Sequence, residues 1–369
     1  MPIRNCLISS LCLLALCFSV PVSAQDKQLS DAKTYADVVE YAQQEMDKHN
    51  AAGIRDSKED ARARAQIYLS ISEKLMEVAQ NDKEKRTAYN WKLTAFRHQA
   101  TAGIEDAEQR IETLLEEIAA NESPVISSLA EMYRFSRFSQ KANGTAPSRT
   151  SFAEFNAELK AWANRGIIPA HNIVSVGSRI AERNSISAEQ FVEEFTAFAQ
   201  SAECTLPEEK KKELVSTVEG LLRLTLGHDP KLYGRTLDDK NFDWEKFRDK
   251  KYVLIKFTAT WCGPCQMEIP GMKEAYEKYH DKGLEIVSVY MWEEDADPVA
   301  TVKEHVEEKK IPWTVISEEL SKKAGHPDFG PFYIISGVPT MVLVDKEGKI
   351  IMTKARGISL QNRLAVIFR

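Results

Sequence analysis

Two cysteines separated by two residues lie in Trp261-Cys262-Gly263-Pro264-Cys265, the densest set of reactive side chains in the 369-residue chain. At that spacing the sulfurs can close a small disulfide ring or supply half of a tetrahedral zinc site. Zinc needs two further Cys or His at close spacing, and the sequence around the pair offers none. His49, His98 and His171 are isolated within helical patterns, and His326 stands alone before Pro327. The chemistry this leaves is thiol chemistry, with Cys262 as nucleophile and Cys265 as its resolving partner.

A thiol attacks as its thiolate, so the elements around it must favour negative charge. The apolar run Tyr252 to Phe257 reads as a strand, and Pro264 to Tyr279 reads as a helix. Strand then helix places Cys262 at a helix N-terminus, where unpaired N–H groups and the macrodipole stabilise an anion. Pro264 suits the first turn, whose N–H would have no partner in any case. Pro270 falls inside the same helix and should kink it. Glu268 follows Cys265 by three residues and therefore shares its helix face. Lys256 precedes Cys262 by six residues on the strand; a cation there could favour a thiolate, but its stem is expected to run to the domain edge.

The rest of the chain decides which cysteines count. Arg4, the apolar stretch Leu7 to Val20 and the small residues Val22-Ser23-Ala24 form a secretory signal pattern over residues 1–24. Rival readings of that stretch are an uncleaved anchor or a lipoprotein signal at Cys17. With the signal removed, Cys204, Cys262 and Cys265 remain, too few for a disulfide framework. Cys204 reads as a buried thiol between helices. The expected location is exported, periplasmic or otherwise extracytoplasmic, with the mature chain soluble. A net charge of −6 gives no basic surface for nucleic acid.

From Leu29 to about Leu226 the apolar spacing is helical. Ile67, Leu69, Ile71, Leu75, Met76 and Val78 make one buried stripe, and Ile111, Leu114, Leu115 and Ile118 another. Capping-box patterns at Ser151-x-x-Glu154, Ser187-x-x-Gln190 and Thr205-x-x-Glu208 mark helix starts. Ser139 to Arg149 reads as a loop. Eight or nine helices are expected, as a bundle or irregular solenoid over residues 25–226, with no repeat period and no catalytic constellation. Gly227-His228-Asp229-Pro230 ends this pattern. Beyond it strands and helices alternate, then close on a hairpin at Lys346-Glu347-Gly348, which predicts a mixed sheet with helices on both faces. Gly325 to Tyr333 is expected to be a surface turn packed by its own aromatics.

Residues 228–369 resemble a thioredoxin-fold domain of the TlpA/ResA type of exported thiol–disulfide oxidoreductase. The resemblance rests on Trp261-Cys262-Gly263-Pro264-Cys265, Glu268, Pro270, Gly337-Val338-Pro339-Thr340 and Val344-Asp345-Lys346-Glu347-Gly348-Lys349. It implies an α/β thioredoxin fold behind an all-α helical domain. It implies a Cys262–Cys265 disulfide as the redox group, with no other cofactor and no metal. It implies a cis Val338–Pro339 bond exposing the Val338 backbone to an extended substrate beside Cys262. Trp261, Val338 and Pro339 would then bind substrate, with Trp261 covering the sulfurs, and Glu268 would exchange a proton with Cys265 during resolution. Ordinary thioredoxins carry a buried Asp where Lys256 stands, so the proton path departs from theirs.

The resemblance also implies disulfide-bonded protein substrates, reduced rather than oxidised since Gly263-Pro264 fits the reducing branch. A membrane thiol transporter of the DsbD or CcdA kind would supply electrons. The competing function is a helical interaction protein whose thioredoxin domain docks or senses redox state, and two intact cysteines argue against it. Peroxidase chemistry expects Thr-x-x-Cys, and here Thr258 is one position out of place.

Overall fold

The computed structural model describes residues 28–52, 57–144, 149–293 and 296–369. The signal pattern at 1–24 lies outside the described residues. Among those described, no helix is long and apolar enough to cross a membrane.

Nine helices precede the sheet among the described residues: α1 Tyr35–Ala52, α2 Ser57–Val78, α3 Asp82–Thr101, α4 Ala107–Ala119, α5 Pro124–Gly144, α6 Arg149–Asn164, α7 Ala170–Arg183, α8 Ala188–Gln200 and α9 Glu208–Gly220. The chain divides into two compact units, Met1–Ala130 and Glu131–Arg369. The change from helices to alternating elements at 227 is therefore a change of architecture inside the second unit. In the first unit Ile71 and Leu75 bury against Val38, Ala42 and Ala88. Met76, expected in that stripe, is exposed. The stripe Ile111, Leu114, Leu115, Ile118 is buried throughout.

In the second unit, Phe135, Phe155, Trp162, Phe191, Phe195 and Phe198 form the helical core. Ser187 and Gln190 make the expected reciprocal capping box at α8. The other two capping patterns fail. The α6 helix already begins at Arg149, so Ser151 lies inside it. Pro207, with φ fixed near the helical value, opens α9, while the Thr205 N–H donates to the Asn164 side chain at 2.9 Å. The loop expected from Ser139 is helical as far as Gly144. Cys204 is buried between α8 and α9, as expected.

Six strands follow: β1 Arg235–Thr236, β2 Tyr252–Thr258, β3 Leu284–Tyr290, β4 Thr314–Ser317, β5 Thr340–Val344 and β6 Ile350–Thr353. Their order across the sheet is β1-β4-β3-β2-β5-β6. Strands β2, β3 and β4 run parallel, while β5, β6 and β1 pair antiparallel with their neighbours. The interleaved helices are α10 Gly263–Tyr279, α11 Pro298–Glu308, α12 Glu318–Lys323, α13 Phe329–Tyr333 and α14 Gly357–Ile367.

Alternation along β2 separates the two faces of the sheet. Val253, Ile255 and Phe257 pack with Phe329 and Tyr333 of α13. Leu254 packs with Met272 and Tyr279 of α10 and with Leu360 and Leu364 of α14. This is the mixed, helix-flanked thioredoxin fold. The segment 325–333 is a surface turn only as far as Asp328, with Gly325, Pro327 and Asp328 exposed; from Phe329 it is helical. Phe329 and Tyr333 are almost wholly buried in the sheet core, where they and Phe332 surround Tyr233. Of its turn formers, Gly325 and Pro327 precede the short helix α13, and Gly330 and Pro331 lie within it.

Candidate active site

Strand β2 ends at Thr258, and the next three residues lead to Cys262, the N-cap of α10. Pro264 sits in the first helical turn. Cys262 and Cys265 are joined by a disulfide, with Cα atoms 5.2 Å apart. Both are buried, Cys262 at 3% exposure and Cys265 at 0%. The Cys265 N–H donates to Cys262 Sγ at 3.2 Å and to the Cys262 carbonyl at 3.0 Å. A backbone donor at the helix start therefore already faces the sulfur that would carry charge after reduction.

The loop before β5 closes the other side. Val338–Pro339 is cis, and the Val338 carbonyl oxygen lies 3.6 Å from Cys262 Sγ. Val338 and Ala259 pack against the sulfur pair. Thr340 ties the loop back on itself by donating its hydroxyl to the Gly337 carbonyl at 2.8 Å. Cys262, Cys265, Val338 and Pro339, widely separated in sequence, are thus brought together.

Trp261 is 59% exposed, and its indole N–H donates to the Trp292 carbonyl at 2.9 Å. The indole is tethered by its nitrogen while its ring faces solvent next to Cys262. Trp292 holds a left-handed backbone, φ 60°, rare for so bulky a residue. The buried Glu318 carboxylate keeps it there, accepting from the Trp292 N–H at 3.0 Å and from the Phe329 N–H at 3.1 Å. Glu293 accepts from the Thr260 N–H and hydroxyl at 2.7 and 2.5 Å. Trp292, Glu293 and Glu318 had no sequence signal: Trp292 and Glu293 meet the motif from 31 and 33 positions away, and Glu318 acts through Trp292.

Lys256 departs most from expectation. Its side chain does not run to the edge but is 1% exposed, and Nζ donates to the Cys265 carbonyl at 2.9 Å. It points to the α10 face of the sheet, where the start of that helix offers a carbonyl within reach. Burial pulls its ammonium down from 10.5 to about 8, and the Glu268 carboxylate partly counters this. Glu268 itself accepts from the Gly357 N–H at 3.2 Å, at the first residue of α14. The resemblance gave Glu268 a proton-transfer role; its observed contacts are a helix N-terminus and the field of Lys256.

A family model described as Redoxin matches residues 225–361. This segment is similar to a redoxin domain and to the ResA type of thiol-disulfide oxidoreductase. Thiol-disulfide oxidoreductase ResA of Bacillus cereus is 34% identical to the chain over 116 residues, 31% of this chain and 60% of the relative. The ResA of Geobacillus thermodenitrificans is 31% identical over 100 residues, 27% of this chain and 52% of that protein. The chain therefore spans three-fifths or less of the length of these two curated relatives. Among solved structures, the thioredoxin domain of a thiol-disulfide oxidoreductase from Bacteroides vulgatus is 28% identical. It covers 40% of this chain and 99% of its own, with a TM-score of 0.35. The redoxin match begins at residue 225, so the helices before it lie outside the likeness.

Proposed function

We propose that the chain is an extracytoplasmic thiol–disulfide oxidoreductase that reduces disulfide-bonded proteins through the Cys262/Cys265 pair. The observation that carries this is the buried Cys262–Cys265 disulfide at the start of α10, set against the backbone of Val338. The names of the ResA relatives support the reaction class. The signal pattern at residues 1–24 supports export.

In the reduced protein, the Cys262 thiolate attacks one sulfur of a substrate disulfide. The substrate S–S bond breaks, a Cys262–substrate disulfide forms, and one substrate sulfur leaves as a thiolate. Cys265 then loses its proton and attacks Cys262 Sγ. The Cys262–Cys265 disulfide re-forms and the second substrate sulfur leaves. Two electrons have passed to the substrate, and a membrane thiol donor of the DsbD or CcdA kind restores the dithiol.

The chain's residues serve these steps in distinct ways. The Cys265 N–H and the α10 macrodipole stabilise negative charge on Cys262. The backbone of Val338, with Pro339 holding the loop, pairs with the extended substrate, and the exposed Trp261 ring flanks it. Lys256 grips the Cys265 peptide unit and places a cation beneath the site, where Glu268 tunes it and acts as a proton-exchange partner for the resolving sulfur. With dithiothreitol as donor, the full chain should accelerate insulin reduction, and Cys262→Ser should abolish that acceleration. Retained activity in Cys262→Ser contradicts the mechanism.

A further inference from the structure

The second unit carries a cavity of about 480 Å³, walled by α7 on one side and by Trp292, Ile335 and Ser336 on the other. Its α7 wall presents hydrogen-bonding groups: His171, Asn172, Ser175 and Arg179. None of the described lining residues is acidic. Arg179 is half-buried, and its Nη1 donates to the neutral Ser175 hydroxyl at 2.9 Å. Burial pulls the guanidinium below its ordinary value, and among the described residues no charged neighbour offsets that cost. A guanidinium has five N–H donors in a planar fork, and a hydroxyl uses one of them. A partly desolvated fork with a neutral partner is matched in charge and shape by a carboxylate.

The position of the cavity connects it to the sulfur pair. Trp292, in its wall, accepts the indole N–H of Trp261. Ser336, also in its wall, precedes Val338 by two residues, and the Val338 carbonyl touches Cys262 Sγ. Extended chain advances about 3.3 Å per residue, so a strand lying along Val338 meets the cavity within about two or three residues.

We propose that this cavity is a specificity site of the redox reaction, taking on Arg179 a carboxylate carried a few residues from the disulfide cysteine of a polypeptide substrate. The inference rests on the oxidoreductase reading for its substrate and adds the chemistry that selects it. Helices outside the redoxin match thereby take part in substrate choice, with α7 supplying the charge and α5 part of the apolar wall.

Two peptide disulfides identical except for Asp or Asn two or three residues from the cysteine provide the test. The full-length protein should reduce the Asp peptide with about tenfold higher kcat/KM, a ratio that narrows as salt rises. Arg179→Met should bring the ratio to about one, and Arg179→Lys should retain part of it through its charge. A ratio near one in the wild type, or an unchanged ratio in Arg179→Met, overturns the proposal. A second arm uses the oxidised protein and cysteine-free versions of both peptides, with binding read by calorimetry. The Asp version should bind more tightly than the Asn version, and Arg179→Met should abolish the difference. Equal binding of the two to wild type overturns the proposal. If wild type reduces neither peptide yet binds the Asp version through Arg179, the reductase reading fails and the carboxylate site stands.

Discussion

A buried lysine that donates to the peptide unit of a redox cysteine should reveal itself through the pH dependence of stability. Lys256 is 1% exposed, and burial takes its ammonium from 10.5 to about 8. That difference corresponds to about 3 kcal/mol between the charged and neutral forms. Below about pH 8 both the folded and unfolded chains hold the proton, and the folded state bears the full cost of the buried charge. Between about 8 and 10.5 the folded state releases the proton while the unfolded state keeps it, so stability rises with pH. By pH 10 the gain relative to pH 7 is about 2.5 kcal/mol. Lys256→Met preserves much of the stem and lacks the titration, so the wild type should gain that amount over the variant across this range.

Urea unfolding followed by tryptophan fluorescence measures the difference. Trp91 is the one tryptophan of six that lies in the first unit, so a Trp91→Phe background confines the signal to the second. Cys204→Ala in both proteins prevents exchange with the disulfide at high pH. The titrations of groups that do not interact with Lys256 cancel between wild type and variant. A difference that stays constant from pH 7 to 10, or that moves against the wild type, refutes the reading of Lys256 as a buried cation.

Glu268→Gln removes the carboxylate that holds the Lys256 ammonium up, so the pH at which the wild-type gain sets in should fall below about 8 in the same assay. The loss of negative charge at the start of α14 should also cost about 0.3–1 kcal/mol, and the pH profile of insulin reduction should move; an unchanged profile removes Glu268 from the proton path. Gly177→Ala would drive a Cβ into the ring of Phe191 and to 2.6 Å from Leu159, at the centre of the helical core. That overpacking should lower stability by about 1–3 kcal/mol, read as a lower urea midpoint in the same fluorescence signal.

What was legible in the sequence is what short-range patterns encode. Cys262 and Cys265 are three positions apart, and the strand and helix around them are written in the apolar spacing of the same stretch. The Ser187–Gln190 box is equally local, which is why it appears as expected. The hairpin β5–β6 announces itself in Glu347-Gly348, where Gly348 takes φ 80°. Contacts that depend on which elements meet in space were not legible. The flexible stem of Lys256 could run either way, and only the placement of the Cys265 carbonyl under the first turn of α10 draws it inward. Trp292 and Glu318 buttress Trp261 from segments whose sequences carry no motif. Residues 329–333 misled because turn formers run through and before them, while the apolar face of the sheet recruits Phe329 and Tyr333. The helices α6 to α9 read as a separate domain because the helical spacing ends at Gly227-His228-Asp229-Pro230, whereas they share a compact unit with the sheet.

The proposed mechanism turns on a division of labour between two sulfurs, Cys262 attacking and Cys265 resolving. Limited alkylation of the reduced protein with a substoichiometric iodoacetamide pulse at pH 7, followed by peptide mapping, tests it directly. Cys262, at the start of α10 beside the Val338 backbone, should carry nearly all the label. Cys265, wholly buried beneath it, and the buried Cys204 should remain unmodified. Preferential labelling of Cys265, or equal labelling of the pair, contradicts the account.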